Sequence, residues 1–213
     1  MPARGAESGP AARSGAHLPG EVAPVAFFAR PTLEVARDLI GCVVATGHGA
    51  TLTAGRIVET EAYLGEDDPA SHAARGPTPR ASIMFGPPGV AYVYLIYGLH
   101  HCLNFVTERD GTAGAVLIRA LVPVAGREVM VGRRAAGGRS PRLSALCDGP
   151  GRLCRALGID RTWNGESAQG PRLRVLARRG APPVIVVTSR IGVRRAADRP
   201  WRFVAATDTS APV

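Results

Sequence analysis

The run Val90–Tyr97, Val-Ala-Tyr-Val-Tyr-Leu-Ile-Tyr, constrains the fold more than any other segment. Aromatic and β-branched side chains lose rotamer freedom in a helix but suit a pleated surface, so this run reads as a strand. A period of two puts Tyr92 and Tyr94 on one face. Tyr97 falls on the other parity or in the turn that follows. Short runs at 42–46, 55–63, 104–107, 115–121, 173–176 and 184–187 predict further strands. Asp110-Gly111 marks a turn between two of them.

Two helices are predicted. Residues 31–41 have Thr32 as a cap and Gly41 as a stop, and residues 150–157 have Pro150 in the first turn and Gly158 after the end. Together these elements predict an α+β fold, one domain with a mostly antiparallel sheet. Residues 1–24 are rich in Ala, Gly, Pro, Ser and Arg and are expected to be a disordered leader. The domain is expected over 25–204, with a frayed tail at 205–213 and a mobile basic loop at 132–144. No apolar run approaches the roughly 20 residues of a membrane helix, so no membrane partner is expected. Nor does an apolar stretch follow Met1, and no secretory signal is expected.

Charge narrows the partner. The formal net charge is +9, which suits a polyanion, nucleic acid first. All 26 basic residues are Arg, so Schiff-base, P-loop and pyridoxal chemistry on a lysine is excluded. Residues 127–202 hold 17 Arg against 5 acids, whereas residues 31–126 hold 6 against 9. A basic half beside a slightly acidic, tyrosine-rich half suits an enzyme that acts on a polyanion. The four Cys form no CxxC, and adjacent His100, His101 and Cys102 would point to opposite strand faces, so neither disulfides nor a metal site is expected.

Residues able to do chemistry cluster in the acidic half. All four tyrosines, Tyr63, Tyr92, Tyr94 and Tyr97, lie within 35 positions; aromatic faces can stack on bases or simply pack a sheet. On a regular strand Ile57, Glu59, Glu61 and Tyr63 share a face. Paired carboxylates can shift one another toward acid–base work, or one can be salt-bridged to Arg56 or Arg119. Glu66, Asp67 and Asp68 read as loop decoration. His72, in the same loop, can stack, hydrogen-bond or move a proton.

Taken together, several segments are specific. GRIVETEAYLG at 55–65, the loop ending at His72, MFGPPGVAYVYLIYGLHHCLN at 84–104, AVLIRAL at 115–121, GPGRLCRALGI at 149–159, and RIG followed by PWRF within 190–203 occur in this order. Over residues 24–204 the chain closely resembles the alkyladenine (3-methyladenine) DNA glycosylases of the non-helix-hairpin-helix type. The resemblance implies a single compact α+β domain with a curved antiparallel sheet flanked by helices and a protruding β-hairpin that enters the minor groove. It implies an enzyme that flips a damaged purine from double-stranded DNA and hydrolyses its N-glycosidic bond, as a monomer without a cofactor, in the bacterial cytoplasm on nucleoid DNA. By the same resemblance Glu61 is the catalytic carboxylate and Glu59 only supports it. Tyr63, His72 and Tyr94 stack the base, and Asn104 disfavours guanine. Tyr97 is the wedge that fills the vacated stack, and Arg119 lies near the DNA backbone and the water. With no Lys amine at hand, the abasic site should be left uncut. The alternatives are a catalytically silent lesion binder of the same fold and a generic Arg-rich nucleic-acid module. Three features depart from the family pattern: the tail Val204 to Val213, His100-His101, and the Gly- and Arg-rich 132–144 segment.

Overall fold

The structure, a computed structural model, describes residues 18–135 and 140–206. The expected leader, basic loop and tail therefore fall partly outside the described residues. From Leu18 the chain is described: Val22 bridges Leu176, and Ala23 is buried with its amide on the Val175 carbonyl.

Among the described residues eight strands build one sheet. They are β1 (Val43–Thr46), β2 (Thr53–Leu64), β3 (Ala91–Ile96), β4 (His100–Val106), β5 (Gly114–Ala125), β6 (Leu173–Leu176), β7 (Ile185–Thr188) and β8 (Arg202–Ala205). Every ladder is antiparallel. The main path runs β3-β4-β5-β2-β1-β6. Long β2 carries β5 on one edge; its first half pairs β1 on the other edge, and its residues 59–61 pair β8, which also pairs β7. Four helices among the described residues, α1 (Val25–Phe28), α2 (Thr32–Asp38), α3 (Arg127–Ala135) and α4 (Pro150–Leu157), complete the expected α+β fold. Among the described residues no helix is long and apolar enough to cross a membrane.

Several details differ from the sequence reading. Ile57 pairs Leu121 and Glu59 pairs Ala120, so Val58 is an extra residue, a β-bulge. The bulge reverses the alternation. Ile57 and Ala62 join the main core and the Thr60 hydroxyl bonds the Ala36 carbonyl of α2, while Glu59, Glu61 and Tyr63 turn to the opposite face. Thr32 does not cap α2. Its amide donates to Glu108 Oε1 at 2.6 Å, a partner 76 positions away that no local motif could reveal. Helix α3 reaches Ala135, inside the stretch expected to be loop.

The main core, with Phe28, Leu39, Ile40, Phe105, Ile118, Leu153 and Leu157 fully buried, cements α1, α2 and α4 to one sheet face. Each such side chain contributes roughly 1.5–3 kcal/mol of transfer free energy. A smaller cluster of Ala73, Met84, Tyr92, Val106 and Ala115 seats the 65–90 loop on the other face. Strands β3 and β4 are joined by three residues, Tyr97, Gly98 and Leu99: Tyr97 and Gly98 have φ of +53° and +69°, and the Leu99 amide bonds the Ile96 carbonyl. Both positive angles mark a type I′ turn, whose twist matches a hairpin.

Candidate active site

The site grows from the second half of β2. Glu61 has no exposed surface. Its Oε1 accepts from the Ile191 amide at 2.7 Å; its Oε2 accepts from the Tyr63 hydroxyl at 2.8 Å and from Arg119 Nη1 at 3.2 Å. Three donors satisfy a carboxylate that burial would otherwise penalise. Arg119, on β5, also donates through Nε to Glu59 Oε1 at 2.8 Å, and Arg202 on β8 donates to the same oxygen at 2.6 Å. Glu59 is thus held between two guanidinium groups, and Glu61 is the carboxylate that meets the tyrosine. Burial and the adjacent Glu61 hold the Tyr63 hydroxyl far above its ordinary range, so it stays a donor.

An aromatic wall stands beside this pair. Tyr92 and Tyr94 lie 5.1 Å apart between ring centroids, and His72 meets Tyr94 edge-on at 4.7 Å. The Tyr92 hydroxyl and His72 Nδ1 are 2.9 Å apart. Burial, and secondly the Arg80 charge, push His72 down to about 4, so the imidazole is neutral at neutral pH. Asn104, paired with Tyr92 across the hairpin, spends its amide NH₂ on the Tyr92 carbonyl at 3.0 Å and the Cys102 carbonyl at 3.4 Å. Each flanking ring already carries one guanidinium: Arg80 lies 4.8 Å from the Tyr94 centroid and Arg190 4.7 Å from that of Tyr63.

Tyr97 stands apart from this cluster. It is 86% exposed at the hairpin turn, with Leu99 beside it 77% exposed. These two residues edge a groove of about 1020 Å³ with His101, Arg133, Arg152 and Gly151; Glu61 does not line it. Among the described residues no group of His, Cys, Asp and Glu is placed to hold a metal ion.

The sequence profile described as Methylpurine-DNA glycosylase (MPG) matches residues 26–209. The chain belongs to the methylpurine-DNA glycosylase family. Proteins bearing the name "Putative 3-methyladenine DNA glycosylase" are similar over most of its length. One from Methanoculleus marisnigri is 50% identical over 184 residues, covering 84% of this chain and 93% of its own. A second, from Nitrobacter winogradskyi, is 51% identical, covering 84% and 81%. A third, from Myxococcus xanthus, is 50% identical, covering 80% and 81%.

In this glycosylase the structure gathers Glu61, Tyr63, His72, Tyr94, Asn104 and Arg119 on one face, and leaves Tyr97 at the hairpin turn. Residues that sequence reasoning left without a role join them. Tyr92 orients His72, Arg80 covers Tyr94, Arg202 neutralises Glu59, and the Ile191 amide holds Glu61. Asp68 is not loop decoration: it is fully buried and paired with Arg190. The RIG and PWRF segments were the available signal, since Arg190, Ile191, Trp201 and Arg202 come from them.

Proposed function

We propose that this methylpurine-DNA glycosylase family member flips alkylated or deaminated purines out of duplex DNA and hydrolyses their N-glycosidic bond. The observation that carries the reading is the buried Glu61 carboxylate, fixed by three donors at the foot of an aromatic wall.

An intact duplex hides the base, so extrusion comes first, at a cost of a few kcal/mol. Tyr97, exposed on a tight turn, is the wedge that occupies the gap and stacks on its neighbours. Tyr63, His72 and Tyr94 receive the base. A neutral His72 adds no charge against a cationic purine. Asn104, rigid on two backbone carbonyls, disfavours the exocyclic amine of guanine by its fixed bulk. Glu61 takes a proton from the water that attacks the sugar C1′, and its negative charge stabilises oxocarbenium character there. Arg119 and the Ile191 amide hold the carboxylate in one orientation while this happens. The arginine-rich half holds phosphates. A chain without Lys offers no side-chain amine to attack the sugar, so the abasic strand stays uncut. One domain both grips and cleaves, and the protein acts as a monomer.

The test uses duplexes with one hypoxanthine, and methylated DNA, followed by alkali. Strand breaks are expected only after alkali and only with the wild type, Glu61→Gln binding the lesion without releasing base. Turnover by Glu61→Gln removes Glu61 from its role. Tight lesion binding by the wild type with no base release replaces the enzyme with a lesion binder.

A further inference from the structure

Beneath the site lies an ion pair with no exposed surface on either side chain, Arg190 and Asp68. Arg190 Nη1 donates to Asp68 Oδ2 at 2.6 Å and Nη2 to Oδ1 at 2.8 Å; Nη1 also reaches the Ala62 carbonyl at 3.0 Å. The guanidinium is sandwiched 4.7 Å from the Tyr63 centroid and 4.9 Å from that of Trp201. Asp68 accepts from the amides of Leu64 and Ala70 as well. Among the described residues Arg190 Nε has no partner.

Stability alone gives little reason for this arrangement. Desolvating two ions costs several kcal/mol each, and well-packed apolar residues commonly serve a core as well. What the pair joins is more telling. It ties the end of β2, the 65–70 loop and the 190–191 segment at one point. The next residue, Ile191, donates its amide to Glu61 Oε1. Ala62, whose carbonyl Arg190 holds, lies between Glu61 and Tyr63 in the chain. The ring of Tyr63 rests on the guanidinium while its hydroxyl holds Oε2. Both oxygens of Glu61 are therefore reached by groups that Arg190 anchors.

We propose that Arg190 and Asp68 are positioning residues for Glu61, setting the orientation of its carboxylate through the Ile191 amide and the Tyr63 ring. The inference rests on the reading of Glu61 as the base.

Two variants test it. Arg190→Lys keeps the charge but loses the bidentate fork and the double stack; Asp68→Asn keeps the shape and loses the charge. Leu157→Ala, in the α4 core and in none of these contacts, serves as a destabilised control. The readouts are single-turnover base release at saturating enzyme, lesion-duplex Kd, melting temperature, and the Ile191 amide resonance in a ¹⁵N–¹H spectrum. Both pair variants are expected to slow release about 10–100-fold while Kd changes less than about threefold. Their Ile191 proton should move upfield as the bond to Glu61 is lost. Leu157→Ala should melt lower yet keep the rate and the resonance. Equal slowing by Leu157→Ala, or an unmoved Ile191 proton in the pair variants, overturns the proposal. If Arg190→Lys does not fold, Asp68→Asn and Trp201→Leu carry the same expectations. Should the wild type show the shifted amide but release no base, the functional reading fails while the positioning geometry stands.

Discussion

His72 illustrates how a single residue is set by its surroundings. Its ring lies against Tyr94, shares a hydrogen bond with Tyr92 and feels the charge of Arg80. Burial, and secondly the Arg80 charge, hold its pKa at about 4 in the folded chain, against 6.5 for the free side chain. Between those values the unfolded chain binds more protons than the native one. This contribution to stability is therefore complete above about pH 6.5, declines as pH falls, and levels off below about 4. Thermal melts from pH 7 to 4 should show this loss, and His72→Gln should flatten it; an unchanged slope in His72→Gln would assign the loss to the carboxylates. From its sequence position alone His72 looks like an ordinary loop histidine. Its loop was visible from Gly65, Pro69 and Gly76, but not the sheet face onto which it folds.

At the scale of elements, strands were legible where apolar runs are bounded by turn residues. This holds for β3, and for β2 and β5 up to their ends. The bulge at Val58 was not legible, because one extra residue breaks the alternation without changing composition. It decides the site: a regular strand would set Ile57 on the carboxylate face, whereas the bulge sends Ile57 to the core. Asp68 was misread for a similar reason, since an acid among turn residues looks solvated and its partner lies 122 positions away. Strand β8 escaped notice because it is only four residues long and follows no apolar run. The β3–β4 turn offers a clean experiment. A tyrosine at φ +53° is held in a conformation that favours glycine, and it buries little of itself. Tyr97→Gly should therefore keep stability within about 1 kcal/mol. Duplex lesion binding should weaken markedly in the same variant, as gel-shift titration would show. Undiminished binding would remove the wedge from Tyr97.

For the whole molecule, charge separation is the main lever. The Glu59 and Glu61 carboxylates sit in the acidic stretch, and the arginine excess lies beyond residue 126. Binding that relies on phosphates releases counterions, so log Kd should rise linearly with log salt, by about 0.9 per phosphate neutralised. Three such contacts would cost about 40-fold between about 50 and 200 mM salt. Fluorescence anisotropy on undamaged duplex would read the slope directly, and a flat line would deny the arginine half its role.

The four cysteines have one more consequence. All are buried and unpaired, and burial raises each thiol, Cys147 to about 12 and Cys154 well above its ordinary range. Thiolates, not thiols, react with electrophiles, and this chain has no lysine amine to react in their place. Reagents that methylate purines would find few soft nucleophiles on the native protein, which would go on working amid the chemistry that makes its substrates. Mass spectrometry after methyl methanesulfonate or iodoacetamide treatment should find the native thiols unmodified and all four labelled once the chain is unfolded.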